Sequence, residues 1–340
     1  MGLLTALGVP LAVYIASSKT YHLVWRLLSA LAATLMLICL FFTASRGAIL
    51  ALVIGTAVYF AISPVRLRSF GMLALALVPT ILIAWWATGQ EALMQDHVDL
   101  GLRMEAASAL RIYIFAALAV VGAVFLGSLM IGQKVKFPAA ITRLAGGVSI
   151  VSTFAAIAVL VLLFLSSQPS VSDWAQQAYD NFTVGKPSQP AGAGRLIELG
   201  SSGRWEIWKE AIANWEDNYV AGSGAQSFPL VHLARRQSDL VFVKQAHGLG
   251  FSLLSELGIV GFALGGAFIA VSMTVAALAW CRIRDRWEKG LAAAIISLLV
   301  IYLIHTSFDW DWNMFGLTMI YFFFTGIMVA WPASKPGPPA

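Results

Sequence analysis

The sequence predicts an all-α polytopic membrane protein with about nine transmembrane helices and one long extracytoplasmic loop containing an amphipathic helix. Three observations predict it. Of the 340 residues, 59% are hydrophobic and only 11% are charged, whereas about a quarter of a soluble domain's residues are charged. Charge this sparse cannot cover a water-facing surface, so lipid must solvate most of the chain. The apolar residues gather in runs near the ~20 residues that a spanning helix needs. These runs do not alternate polar with apolar as the strands of a barrel would. Backbone in lipid must satisfy its own hydrogen bonds, which leaves helices. The third observation is a single long polar interruption, 167–246, late in the chain.

The candidate spans run near 2–17, 23–43, 47–62, 70–88, 109–131, 146–166, 248–280, 290–307 and 313–331. The first and third are short. The seventh is long enough to tilt or to begin outside the bilayer. This divides the chain into N-terminal membrane helices (1–166), an extracytoplasmic loop (167–246), three C-terminal membrane helices (247–331) and a cytoplasmic tail (332–340).

Loop charge sets the orientation. The ends after the first, third, fifth, seventh and ninth helices hold Lys19, Arg26, Arg66, Arg68, Lys134, Lys136, Arg143, Arg282, Arg284, Arg286, Lys289 and Lys335. Of the 17 acidic residues, only Asp285 and Glu288 fall on that side. Basic loops stay in the cytoplasm, so 167–246 is expected outside. The amino terminus is then outside too, with no basic leader or cleavage site of a signal peptide.

The net charge of +5 would point to nucleic acid in a soluble protein; here it reports the basic loops. No Walker loop or paired-glycine nucleotide fingerprint is present, so no nucleic-acid partner is expected. The five histidines show no metal-ligand spacing, and no metal or other cofactor is expected. Cys39 and Cys281 lie in or beside apolar runs, and the polar segment has no cysteine, so no disulfide framework is implied.

Within the polar segment, 166–203 is rich in Ser, Pro, Gly and Gln and reads as loop. Trp205, Trp208, Ile212 and Trp215 then recur at helical spacing, with Glu206, Lys209 and Glu210 on the other side. Such a helix suits a bilayer interface, and Ser202 is its candidate N-cap. Gly222-Ser-Gly224 marks a turn, and Arg235, Arg236 and Lys244 lead to His247. A passive loop sealed by an interfacial helix is the plain reading. It does not account for Arg204, Arg235, Arg236 and Lys244 on the side poor in basic charge, which suggests an anionic ligand.

Several residues are candidates for chemistry. Arg46, between two apolar runs, is either an arginine snorkelling to headgroups or a phosphate clamp, since guanidinium grips phosphate through paired hydrogen bonds. Arg204 opens the Trp-bearing helix and is either a clamp of the same kind or a solvated partner of Glu206 or Glu210. A histidine at a membrane boundary is usually a cap or hydrogen-bond partner, yet imidazole is the side chain whose intrinsic chemistry suits general-base work, which makes His247 a candidate. Glu256, between two and three turns later, is expected inside the apolar layer, where a buried acid demands a partner. Gly261 and Gly265 read as a helix contact. Asp309 and Asp311, beside the interface anchors Trp310 and Trp312, hold an arginine or His247, or are solvated.

Ser45-Arg46-Gly47 between two apolar runs, Gly203-Arg-Trp-Glu-Ile-Trp208 opening an outer helix, His247 before Ser255-Glu-Leu-Gly258 and Gly261, and the Asp309-Trp-Asp-Trp312 turn together resemble the O-antigen ligase and O-antigen polymerase superfamily of bacterial membrane glycosyltransferases. The resemblance covers residues 30 to 330, and its motifs are specific in their order more than singly. It implies metal-independent glycosyl transfer on the outer face of the bacterial inner membrane, in lipopolysaccharide or other envelope polysaccharide synthesis. The implied donor is a glycan on undecaprenyl diphosphate. The implied acceptor is a hydroxyl of a glycan, lipid or protein. His247 matches the proposed base, and Arg46 and Arg204 match arginines that bind the diphosphate. Arg235 and Arg236 are added as substrate-binding candidates, with Glu256, Asp309, Asp311 and Trp208 in support. Relatives commonly carry more leading spans, as if about three leading helices were lacking here, and many carry a polar residue where this chain has Gly248. A transporter of anionic lipid or solute would use the same arginines but should show internal repeats and helices interrupted in matching positions. A membrane scaffold needs no convergence of arginines with a histidine.

Overall fold

The computed structural model describes residues 1–95, 98–134, 176, 179–183, 201, 203–236 and 242–331, with 131–134 described by backbone alone. The expected sixth span, the Ser202 cap, most of the 166–203 loop and the 332–340 tail lie outside the described residues. All regular structure among the described residues is helical. In chain order the helices are α1 (Gly2–Ser17), α2 (Leu23–Phe42), α3 (Arg46–Ile62), α4 (Arg66–Thr88), α5 (Glu91–Met94), α6 (Leu100–Lys134), α7 (Arg204–Asp217), α8 (Phe228–Arg235), α9 (Leu249–Arg282), α10 (Arg286–Thr306) and α11 (Phe315–Ala330), with a 3-10 turn at Asp311–Asn313. Five of them (α2, α4, α6, α9 and α10) are long and apolar enough to cross a membrane, and α1, α3 and α11 are shorter apolar helices. The chain is an all-helical polytopic membrane protein.

Local chemistry explains where the helices begin and end. His22 Nδ1 accepts from Val24 N at the start of α2, and Ser45 Oγ accepts from Ala48 N at the start of α3. Both satisfy helix-end donors that have no intrahelical partner. Pro64 follows the last turn of α3, where it cannot extend a helix.

The described residues form two compact units. The first holds α1 to α6 and Trp280–Ile301. Its core includes Tyr14, Tyr59, Phe60, Val65, Ala293 and Ala294. Small residues bring α3 and α10 together. A side chain on Gly55 would collide with Ile301, and Ser297 Oγ donates to the Gly55 carbonyl at 2.7 Å. Close backbone approach with a hydroxyl bond is how helices associate in lipid, where apolar burial gives little drive. The buried hydroxyls of Ser17, Ser69 and Tyr59 bond one another at 3.0 and 2.6 Å.

The second unit holds the described polar segment, α9 up to Ala279 and the chain from Tyr302 on. Here α9 is not one straight helix. Gly258, at φ 65° and ψ −165°, interrupts it. Leu257 lies against Gly261 and Leu253 against Gly265, where added Cβ atoms would clash with them. The segment before Gly258 therefore folds back against the segment after it. The two glycines expected to mark a contact with another helix instead receive this returning segment.

Candidate functional site

The break at Gly258 organises the site. A broken helix leaves carbonyls at one end and N–H groups at the other without intrahelical partners, and buried backbone must find others. One turn supplies both sets. Ser223 N and Gly224 N donate to the carbonyls of Ser255 and Glu256 at 3.1 and 2.8 Å, and the carbonyls of Tyr219 and Val220 accept from Ile259 N and Val260 N at 2.9 and 3.3 Å. Backbones this close leave no room for a Cβ at Gly222 or Gly258, both at positive φ. Buried Asn214 of α7 adds bonds from Nδ2 to the Ser255 carbonyl (2.8 Å), the Ser255 hydroxyl (3.0 Å) and the Ser223 hydroxyl (2.9 Å).

Glu256 has a different place from the one expected. Its carboxylate accepts from the backbone N–H of Gln226 at 2.9 Å and of Phe228 at 3.4 Å. It therefore caps the start of α8 and is half-buried there, where an anion meets the positive end of the helix. The interruption at Gly258, invisible to a hydropathy window, turns it out of the apolar run.

The face of α7 also differs. Ile207, Ala211 and Asn214 form its buried stripe, and Ile207 and Ala211 pack with Phe228, Val231 and Ala246. Trp208 sits at the edge of that stripe. Its ring stacks on Phe251 (centroids 4.7 Å apart, planes at 12°), and its Nε1 donates to the His247 carbonyl at 2.9 Å. Glu210, assigned to the solvated side, is largely buried 2.6 Å from His232 Nδ1. Both stripes fit a 3.6-residue period, and α8 decides between them by covering one.

His247 follows directly in this arrangement. It adopts φ 50°, a left-handed conformation uncommon outside glycine. Gly248, next to it, could not carry a Cβ without approaching the Ser307 carbonyl and Phe251 Cδ2 to 2.9 Å each. This close approach accounts for the glycine at position 248. The imidazole Nδ1 lies 3.5 Å from Asp309 Oδ1, too long for a formed hydrogen bond, and that buried nitrogen makes none.

Asp309 is the hub. Its Oδ2 receives Arg204 Nη2 at 3.0 Å, and its Oδ1 receives its neighbour's N–H, from Trp310, at 2.9 Å. Burial alone would raise its pKa. The facing imidazole of His247, the Arg204 charge, the Trp310 N–H and the nearby His305 outweigh burial and lower it to about 2. The acid is therefore a fixed anion at neutral pH. Arg204 thus pairs with neither Glu206 nor Glu210; Glu206 holds Lys209 at 2.7 Å instead.

Another histidine–carboxylate pair involves the same turn. His305 Nδ1 bonds Asp311 Oδ2, and both residues are buried. Thr318 Oγ1 donates within this turn, to the carbonyls of Asp311 and Trp312 at 3.2 and 3.0 Å, and pairs with the Tyr302 hydroxyl at 2.8 Å. These contacts pin the turn that presents Asp309. The sequence reading gave His305 and His232 no role; the carboxylate six residues beyond His305 was the available signal.

The remaining candidates lie elsewhere. Arg235 pairs with Asp217 at the exposed end of α7. Arg236, half-buried, is the C-cap of α8. Arg46, also half-buried, is the first residue of α3 in the first unit.

Residues 102–264 match the family profile Wzy_C, O-Antigen ligase. The matched stretch contains Arg204, Trp208, His247 and the break at Gly258. No curated protein matches the chain. Over residues 102–264 this chain is similar to the O-antigen ligase family, and its helices are those of a polytopic membrane protein.

Proposed function

We propose that the protein is an O-antigen ligase-like glycosyltransferase of the inner membrane, moving a glycan from undecaprenyl diphosphate to an acceptor hydroxyl on the outer face. The observation that carries this reading is the meeting of His247 and Arg204 on the two oxygens of Asp309, at 3.5 and 3.0 Å, in residues that the sequence separates widely.

The chemistry is a displacement at the anomeric carbon. The acceptor oxygen attacks, the bond from the anomeric carbon to the phosphate oxygen breaks, and the diphosphate lipid leaves with the bonding pair. His247 takes the acceptor proton. Its Nδ1 faces Asp309, so Nε2 is assigned to the acceptor, and the Asp309 anion stabilises the imidazolium that forms. Catalytic hydrogen bonds that are long in a free enzyme tighten in the reacting complex. Direct displacement inverts the anomeric centre.

Arg204 is assigned to the diphosphate. Its Nη2 is held by Asp309 while its buried Nε makes no hydrogen bond, leaving donors of the planar fork for an oxyanion. Developing charge on the leaving diphosphate is what fixed cations stabilise best. Arg46, Arg235 and Arg236 are assigned to substrate binding, Arg46 on the resemblance alone. Trp208 and Glu256 support the site by holding the backbone at His247 and at α8. No step calls for a metal.

A ligase and a polymerase of this superfamily share the same donor chemistry. Reconstitution with an undecaprenyl-diphosphate glycan and a panel of glycan, lipid and protein acceptors tests the reading and separates the two. Transfer that depends on His247 supports it, and no transfer to any acceptor by chain that is folded and inserted sinks it. The interruption in α9 is a device that transporters also use, but among the described residues no second helix is interrupted.

A further inference from the structure

We infer that the turn Tyr219–Val220 is a lipid-seated anchor, which holds the polar segment down on the bilayer at the boundary between acyl chains and headgroups. The inference does not rest on the glycosyl-transfer reading.

Two apolar side chains are unusually open here. Tyr219 is 53% exposed and Val220 61%, yet their carbonyls are spoken for by Ile259 N and Val260 N. The turn therefore presents these side chains with both of their carbonyls already paired, which lowers the cost of entering lipid. Its exposed surface continues onto α9 through Leu257, Val260 and Leu264, all exposed and apolar.

Length fixes the depth. From Ile259 to Arg282 the helix is continuous and about 36 Å long at 1.5 Å per residue. The hydrocarbon layer is about 30 Å thick. With Trp280 and Arg282 at one boundary, Ile259 lies within a few ångströms of the other. Tyr219 and Val220 are hydrogen-bonded to that end and so share its depth. The side chains around the turn sort as an interface requires. Trp215 and Tyr219 form an aromatic pair with centroids 5.0 Å apart, of the kind enriched at headgroup level. Glu216 and Asp217 are exposed just before them. A second copy of the chain would also cover apolar residues, but continuity with the lipid face of α9 favours the bilayer.

The full chain, carrying Cys39→Ser and Cys281→Ser, is reconstituted in phospholipid nanodiscs with one environment-sensitive fluorophore at Val220→Cys, Leu257→Cys or Glu216→Cys. Fluorophores at 220 and 257 should be quenched several-fold more by nitroxide-bearing lipid than by aqueous iodide, and the one at 216 should show the reverse. Iodide quenching at 220 equal to that at 216 would overturn the inference. So would protection of 220 from both quenchers, which would show that protein covers it.

Discussion

Asp309 joins His247 to Arg204: one carboxylate oxygen lies 3.5 Å from the imidazole Nδ1 and the other 3.0 Å from the guanidinium Nη2. The proposed base and the proposed diphosphate-binding cation thus face the two oxygens of one anion. They come from different elements, the start of α9 and the first turn of α7, and the anion comes from the turn after α10.

Replacing Asp309 with Asn should affect stability in a pH-dependent way. The folded-state pKa is lowered, to about 2 from the ordinary 3.8 of an aspartate. The stabilisation is therefore complete above the unfolded value and is lost as pH falls from about 4 to about 2. A shift of this size corresponds to about 2 kcal/mol. Thermal unfolding in detergent should show D309N less stable than the parent at pH 7, with the gap closing toward pH 2. A gap that stays constant with pH would remove the ion pair as its cause.

His247→Ala should lower glycan transfer by about 10²–10⁴-fold, the usual contribution of a general base, without loss of membrane insertion. His247→Gln tests the same role with a polar side chain of similar reach. Turnover retained by both variants would leave His247 a purely structural residue.

Arg204→Lys keeps the charge but loses the planar fork. KM for the lipid-linked donor should rise about tenfold, near the worth of one charge-assisted hydrogen bond. Arg204→Ala should also loosen the hold on Asp309 and cut kcat. An unchanged donor KM in R204K would take this residue out of the diphosphate site.

Gly258→Ala and Gly222→Ala each place a methyl against backbone, at positive φ. Either should cost at least about 2 kcal/mol, from strain and from displaced capping bonds. Gly266→Ala is the control, because a Cβ there meets nothing within 4 Å. Comparison of melting temperatures among the three decides it: equal values would mean that the junction is not tight.

Glu256→Gln should weaken the cap on α8 and destabilise the polar segment by about 1 kcal/mol. Limited proteolysis of inserted protein should then cut faster between Gln226 and Arg235. If Glu256 were instead a buried acid within the apolar layer, removing its charge would stabilise the protein.

The sequence by itself determined the membrane helices. The ends of α1, α2 and α3 fall within a residue or two of the apolar runs, because exclusion of charge from lipid is a property of composition along the chain and needs no partner. It also singled out Arg204, His247 and Asp309, because charge beside an apolar span carries a cost and stands out. Pairing was beyond it. That Asp309 takes both His247 and Arg204, while Asp311 takes His305, depends on which side chains a turn presents. Alternation between two aspartates leaves that open. The inward face of α7 was likewise ambiguous, since two stripes fit one helical period until α8 covered Ile207 and Ala211. The tertiary structure alone decided the break at Gly258. A hydropathy run reports apolar length but not direction, and a glycine inside it reads as a helix contact. Here the turn at Tyr219–Gly224 supplies the hydrogen bonds that make folding back affordable in lipid, and that turn lies in a different part of the sequence.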